Sequence, residues 1–202
     1  MNVSIKFIGG IKLKSLSEKI YMELEMPGEY NTIGDKDRII NALLEKYENI
    51  TMPYKIIKKL YPLCRDNDFK ITVTIVKREY DWVITDIEGG NTSDNHYGIA
   101  VDLGSTTIVM QLVNLNNGQV LVEESTFNKQ IKYGEDILSR IFYTKQYKNG
   151  LKEIQKSTVE SLKELLLKLE KKTNINTKKC SIMTISGNTT MTHFLFGINP
   201  WT

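Results

Sequence analysis

The chain is poor in the residues that hold metal clusters. Its 202 residues include two cysteines and two histidines. Cys64 and Cys180 lie far apart, form no CxxC pair and have no histidine at a metal-ligand spacing. An iron–sulfur cluster takes about four cysteine thiolates, and a structural zinc ion about four Cys or His ligands. We therefore expect no iron–sulfur cluster and no structural zinc ion on this chain alone.

Long apolar runs and charge of one sign are also missing. No stretch approaches the roughly 20 apolar residues that span a bilayer, and residues 1–10 lack the apolar core and cleavage site of a signal peptide. The 27 basic and 24 acidic residues are spread along the chain and give a net charge of +3. A nucleic-acid binder usually shows a basic stripe. We expect a cytoplasmic protein that binds neither membrane nor nucleic acid.

What the chain does contain is the composition of a folded protein, because 41% hydrophobic and 25% charged residues are enough to bury a core. Residues 89–96 are polar and glycine-bearing, and no apolar period crosses them, which predicts a linker. We therefore expect two domains, at 1–88 and 97–202. Residues 1–18 form an N-terminal extension that can add a strand through Val3, Ile5 and Phe7.

The apolar periodicity predicts a different fold class for each domain. For the first domain we expect a strand at 19–26, helices at 35–47 and 51–64, and strands at 69–76 and 82–87. For the second we expect strands at 97–103, 106–115 and 119–124, helices at 133–147 and 151–172, a strand at 181–185 and a helix opening within 187–196. Asn116-Asn117-Gly118 predicts a tight hairpin turn. The first domain is thus α+β, and the second α/β.

The chemistry is concentrated in one turn between two expected strands. An apolar strand ends at Asp102, and Gly104, Ser105, Thr106 and Thr107 turn the chain into the next strand. Glycine permits a close backbone approach, and exposed N–H groups and hydroxyls can bind phosphate oxygens. Asp102 can hold Mg²⁺ through water, since this ion gives up its waters reluctantly. The alternative is an ordinary β-turn, in which Asp and Gly serve the turn geometry.

This opening of strands around a phosphate turn looks like that of the acetate kinase, sugar kinase, Hsp70 and actin superfamily, in which two RNase H-like halves clamp ATP. Three ordered segments resemble the reductive activators of corrinoid proteins more specifically: YGIAVDLGSTT at 97–107, NKQIKYGEDILSRI at 128–141 and SGNTTM at 186–191. Residues 19–24 and 86–94 are similar to that family as well. The resemblance covers the chain from about residue 19 to residue 202.

The resemblance implies a fold and a function. The fold would be a small α+β middle domain followed by the first part of an RNase H-like domain of the actin/Hsp70 ATPase type. The function would be ATP-dependent, Mg²⁺-assisted reactivation of a corrinoid protein of a methyltransferase system, from the oxidised Co(II) state to Co(I). The partners would be that corrinoid protein and an external electron donor. The alternative is a noncatalytic module that mediates homodimerisation or docking of the corrinoid protein.

The resemblance also assigns residues. Asp102, Gly104, Ser105, Thr106 and Thr107 match the family's first phosphate motif, with Asp102 as the metal-binding residue. Gly187, Asn188 and Thr189 match a second segment, where the alternative is a helix cap made by Asn188 or Ser186. Asn128, Gln130, Asp136 and Arg140 match a middle motif. These four can face the cleft, or Asp136 and Arg140 can pair across one helical turn, which is the interpretation we favour.

The sequence departs from the family's pattern in two respects. A ferredoxin-like domain with a [2Fe–2S] cluster is absent, so we expect the electrons to come from another protein. The RNase H-like half ends at residue 202, without its second half, so we expect this chain alone to be inactive. Three explanations stay open: an excised fragment, which we favour, a split-gene product, or a stand-alone domain. We expect His96 to be exposed in the linker, His193 to be a packed helix residue, and Trp82 and Trp201 to serve packing or an interface.

Overall fold

A computed structural model describes residues 15–201, which form two compact units. Unit 1 ends at Tyr97 and includes Leu115–Asn117, and unit 2 consists of Gly98–Asn114 and the chain from Gly118 onward. The strand expected through Val3, Ile5 and Phe7 lies outside the described residues. None of the helices found between residues 15 and 201 combines the length and apolar character needed to cross a membrane.

Unit 1 is one sheet with two helices. Its elements are β1 (Ser17–Glu23), α1 (Asp35–Leu44), β2 (Ile50–Thr51), α2 (Tyr54–Asp66), β3 (Lys70–Lys77) and β4 (Trp82–Gly89). The strand order is β1-β3-β4-β2, with β3 antiparallel to both β1 and β4 and β2 parallel to β4. The expected order of strand, helix, helix, strand, strand is confirmed. The sequence missed only β2, because two residues carry no periodicity.

The interior of unit 1 is mainly apolar. Strand β3 contributes Ile71, Val73 and Ile75, each with an exposed fraction of 0%. The helices bury their apolar stripes in the same cluster, which also includes Ile39, Leu43, Ile56, Leu60, Cys64 and Ile84. Burying one such aliphatic side chain contributes about 1.5–3 kcal/mol. The periodic apolar residues that predicted these helices therefore also stabilise this unit through their burial.

Unit 2 is built on a second four-stranded sheet. Its elements are β5 (Tyr97–Leu103), β6 (Thr107–Asn114), β7 (Gln119–Phe127), α3 (Ile137–Gln146), α4 (Gly150–Thr173), β8 (Ile182–Gly187) and α5 (Thr189–Phe196), with short 3₁₀ helices at Lys129–Tyr133 and Thr177–Lys179. The strand order is β7-β6-β5-β8. β6 and β7 are antiparallel, whereas β8 pairs with β5 in parallel after the crossover through α3 and α4. The mixed α+β fold class is confirmed.

Helix α4 covers β6 and β7, as its leucine stripe predicts. Its side chains Ile154, Leu165 and Leu169 are completely buried, as are Ile108 and Met110 on β6. The helix ends at Thr173 and is followed by Asn174, which adopts the left-handed conformation common at helix C-termini. The stripe thus belongs to the core of unit 2.

Two expectations about local structure are wrong. The helix expected at 133–147 begins only at Ile137, because Gly134 ends the 3₁₀ helix and Asp136 then caps α3. A Cβ atom on Gly134 would lie 2.7 Å from the Ser139 Cβ atom, so this break requires glycine. His96 is 3% exposed rather than open to solvent, since its Nε2 atom lies 2.9 Å from the Ser17 hydroxyl. Burial lowers the pKa of His96.

Candidate functional site

The sheet of unit 2 brings the first and last of the three resembling segments side by side. In the parallel register, Asp102 lies opposite Ser186 and Leu103 opposite Gly187. The carboxyl ends of β5 and β8 therefore meet at one edge of the sheet, the edge at which ligands bind in open α/β folds. Asp102 and Ser186 are both exposed there. We call Gly104–Thr106, which follows Asp102 and Leu103, the β5–β6 turn.

Gly104 is required by the shape of the β5–β6 turn. A Cβ atom at this position would lie 2.3 Å from the carbonyl oxygen of Thr107, far inside van der Waals contact. Any other residue would displace the backbone of the turn. Thr106 and Thr107 are exposed, and Ser105 is half-buried, so the hydroxyl residues of the motif lie at or near the surface.

Asn128, from the middle segment, lies directly beneath the β5–β6 turn. The residue is completely buried, and its Nδ2 atom donates to the Gly104 carbonyl at 2.9 Å. Its backbone N–H donates to the Thr106 carbonyl at 2.8 Å. Its Oδ1 atom accepts from the backbone N–H of Gln130 at 3.0 Å. One buried asparagine therefore binds the turn on two sides.

Arg140 binds the same turn from α3. Its side chain is completely buried, and one terminal nitrogen donates to the Ser105 carbonyl at 2.7 Å and to the Gln130 Oε1 atom at 3.2 Å. The Nε atom donates to the Gly134 carbonyl at 2.8 Å. The second terminal nitrogen donates to the Glu135 carbonyl at 3.4 Å. Burial lowers the pKa of this guanidinium.

The pairing expected between Asp136 and Arg140 is wrong. The Asp136 carboxylate caps α3 by accepting from the backbone N–H of Ser139 at 2.7 Å and from its hydroxyl at 2.9 Å. These hydrogen bonds lower the pKa of Asp136. Arg140 uses its donors on carbonyl oxygens instead, because the cap holds the carboxylate at the start of the helix. Of the four middle-motif residues, Asn128, Gln130 and Arg140 thus form one buried network.

The third segment also reaches this network. Asn188 caps α5, since its Oδ1 atom accepts from the backbone N–H of Met191 at 2.9 Å. Asn188 thus makes the helix cap that the sequence offered as an alternative. Thr189 is the first residue of α5 and is exposed. The Met191 sulfur lies 3.8 Å from the Asn128 Nδ2 atom. A Cβ atom on Gly187 would lie 3.1 Å from the Leu103 carbonyl oxygen. Glycine, which has no Cβ atom, therefore permits the two strand ends to lie this close.

Helix α4 supplies a support that the sequence reading missed. Gln130 Nε2 donates to the Thr158 hydroxyl at 2.6 Å, and the Ser161 hydroxyl accepts from the backbone N–H of Lys129 at 3.2 Å. Ser157, Thr158 and Ser161 are all buried. The sequence signal for this support was that the three small hydroxyl residues lie on the apolar stripe of α4. A helix that only packs on a sheet carries aliphatic residues at such positions.

Asp102 is the residue of this site that could hold a metal ion. Between residues 15 and 201, no group of three or more His, Cys, Asp or Glu side chains is placed to hold a metal ion. Asp102 is a single exposed carboxylate at the strand end. That arrangement suits Mg²⁺, which keeps several waters and takes one or two carboxylates together with phosphate oxygens. It does not suit an ion that needs a full cage of protein ligands.

Comparisons with known proteins match the chain along most of its length. Residues 97–202 match the model of the RACo middle region, and residues 9–94 match that of the RACo linker region. The corrinoid activation enzyme RamQ of Eubacterium limosum is 38% identical over 104 residues, which are 52% of this chain and 18% of RamQ. A solved structure, the reductive activator for corrinoid, iron-sulfur protein, has a TM-score of 0.84 and 29% identity over 96% of this chain. This chain covers 31% of that structure. It therefore spans a third or less of either relative.

Proposed function

Because the chain belongs to the RACo family, we propose that it is part of an ATP-dependent protein that reactivates a corrinoid protein, and that its β5–β6 turn holds phosphates of ATP. The names of the two relatives support the role in corrinoid activation. The finer statements are ours: return of the cobalt from Co(II) to Co(I), a partner from a methyltransferase system, and an electron donor on another protein. A cytoplasmic location is likewise a prediction from the sequence.

The observation that carries the nucleotide site is the convergence of the three resembling segments. Asn128 binds the β5–β6 turn, Met191 of α5 contacts Asn128, and Ser186 lies beside Asp102. Residues separated by more than 80 positions thus meet at the carboxyl ends of two parallel strands. An ordinary hairpin turn needs no such support, so the convergence favours a binding role over the turn-geometry alternative.

Each residue then has a proposed task. Gly104, Ser105, Thr106 and Thr107 would bind phosphate oxygens through backbone N–H groups and hydroxyls. Asp102 would hold Mg²⁺ through water. Gly187 keeps β8 close to β5, and Asn188 and Thr189 place the N-terminus of α5 beside the same edge, where an anion is favoured. Hydrolysis of bound ATP to ADP and phosphate would supply the free energy for the reactivation.

The coupling to a corrinoid protein follows from differential binding. A nucleotide can drive a conformational change only when it binds the two states unequally. The β5–β6 turn is a suitable place for that difference, because its hydrogen bonds lead to α3 through Arg140 and to α5 through Asn128 and Met191. A phosphate at the turn would therefore affect several elements together.

The test is the variant Asp102→Ala in the longest protein that the reading frame encodes. Asp102 is exposed, so its loss should leave the fold intact, while Mg-ATP turnover should fall to background. Calorimetry gives Mg-ATP binding, and circular dichroism gives the fold. Turnover at the wild-type rate would refute the phosphate site. If the wild-type protein binds no Mg-ATP, the noncatalytic docking or dimerisation module becomes the better account.

A further inference from the structure

Two peptide groups of the β5–β6 turn are held by their carbonyl oxygens. The Gly104 carbonyl accepts from Asn128 Nδ2 at 2.9 Å, and the Ser105 carbonyl accepts from Arg140 at 2.7 Å. Both donors are completely buried, so both carbonyls point into the protein. No peptide bond is cis in the part of the chain that the structure describes. In a planar trans peptide, the C=O bond and the following N–H bond point in opposite directions.

The Ser105 N–H group therefore points away from Asn128 Nδ2, and the Thr106 N–H group points away from the Arg140 guanidinium. Within residues 15–201, neither N–H group donates to another protein group. Thr106 is exposed and Ser105 is half-buried. Two neighbouring N–H groups that lack a protein acceptor are donors that an anion can satisfy, as successive N–H groups do in anion-binding turns.

Arg140 is an unusual residue to hold a carbonyl group. Its partners in the described chain are the carbonyls of Ser105, Gly134 and Glu135 and the amide oxygen of Gln130. None of these is a carboxylate, and the nearby charge of Asp136 favours the charged guanidinium without a direct contact. A buried cation is costly, so complete hydrogen bonding of the guanidinium matters here. The planar guanidinium, however, can bind two separate backbone segments at a fixed angle, which the single ammonium of lysine cannot do.

We propose that Arg140 is a positioning residue of the phosphate site: it fixes the Ser105–Thr106 peptide so that the Thr106 N–H group faces a phosphate oxygen. Asn128 does the same for the Gly104–Ser105 peptide and the Ser105 N–H group. The inference rests on the proposed function for the identity of the anion. It adds that the backbone donors of the site are oriented by buried side chains that never touch the nucleotide.

The experiment compares Arg140→Met with Arg38→Met. Arg38 is a matched control, because it is also a buried arginine (5% exposed) that donates to two backbone carbonyls, those of Asn31 and Ile33, but it belongs to unit 1. ¹⁵N relaxation on this chain gives the order parameters of the Ser105 and Thr106 N–H groups. Calorimetry on the longest encoded protein gives the affinity for Mg-ATP.

For the wild type and for Arg38→Met we expect rigid-backbone order parameters of about 0.85 at Ser105 and Thr106. For Arg140→Met we expect the Thr106 value to fall below about 0.6, the range of flexible backbone, and the Mg-ATP affinity to fall at least tenfold. Arg140→Lys keeps the charge but loses the two-segment contact, so its affinity should lie between those of the wild type and Arg140→Met. A purely structural role would lower the melting temperature without loosening Thr106 selectively.

The two proposals fail in different ways. If the wild type and Arg140→Met bind Mg-ATP equally well, the positioning role is refuted and the phosphate site stands. If the wild type binds no Mg-ATP, the phosphate site is refuted, and the relaxation data alone decide whether Arg140 fixes the turn. An unchanged Thr106 order parameter in Arg140→Met would overturn the inference in either case.

Discussion

The two units of this chain are stabilised by different interiors. Unit 1 buries a continuous apolar cluster, and its buried polar side chains mostly tie connecting loops, as Thr72 does with the Gly90 carbonyl and the Thr92 N–H group. Unit 2 has an apolar core as well, but it also buries Asn128, Gln130 and Arg140 in one hydrogen-bonded network beneath the β5–β6 turn.

The buried network of unit 2 carries a cost in desolvation free energy that an apolar interior does not. Buried polar groups require complete hydrogen bonding, and a partly satisfied network is worse than an apolar core. A unit that needed only stability could be built like unit 1. In unit 2 the network leads from Thr158 on α4 through Gln130 and Arg140 to the Ser105 carbonyl. Because the network ends at the β5–β6 turn, we infer that these residues maintain the shape of that turn.

The largest effect is expected from a change in the apolar interior of unit 1. Ile75→Ala removes a completely buried side chain and should lower the free energy of unfolding by about 2–5 kcal/mol. The affinity for Mg-ATP should not change, because every hydrogen bond of the candidate site lies within unit 2. Denaturant unfolding and calorimetry on the same variant measure both quantities. A parallel loss of affinity would mean that the two interiors do not have separate roles.

A second, smaller change tests the β5–β6 turn itself. Gly104→Ala places a Cβ atom 2.3 Å from the Thr107 carbonyl oxygen and should lower the free energy of unfolding by about 1–3 kcal/mol, the range for overpacking. Mg-ATP binding should be lost. Gly28→Ala is the control in unit 1, where an added Cβ atom meets nothing within 4 Å. Normal binding by Gly104→Ala would show that the turn can relax without consequence.

The smallest effect is expected at the cap of α5. Asn188→Ala removes the bond to the Met191 N–H group and should lower the free energy of unfolding by about 1 kcal/mol. The Mg-ATP affinity should fall by a few fold, because α5 begins at the site. Asn176→Ala removes a similar cap from the 3₁₀ helix Thr177–Lys179 and should leave affinity unchanged. Equal affinities in the two variants would remove Asn188 from the proposed site.

Most of the fold could be predicted from the sequence, because periodic apolar residues such as Ile71, Val73 and Ile75 determine both the strand and the face it buries. Capping residues were harder to interpret. Asp136 has the spacing of an ion pair with Arg140 and also that of a helix cap, and the cap is formed. His96 looked exposed because its neighbours are polar, whereas it is buried against Ser17, 79 residues away.

The candidate site was predicted in part. The three segments could be recognised from their residues, but their meeting at one sheet edge was not predicted, because it depends on the parallel pairing of β8 with β5. The roles of Thr158 and Ser161 could not be predicted, since their partners Gln130 and Lys129 lie about 30 residues away and on another element. The direction of the Ser105 and Thr106 N–H groups depends on hydrogen bonds that no local pattern specifies.

Amide hydrogen exchange with and without Mg-ATP, in the longest protein that the reading frame encodes, shows whether the three segments together hold phosphate. We expect slower exchange in peptides that cover 104–107 and 187–189, and no change in peptides that cover 70–77 of unit 1. Protection confined to other segments, with 104–107 unaffected at saturating nucleotide, would contradict the claim that the three segments converge to hold phosphate.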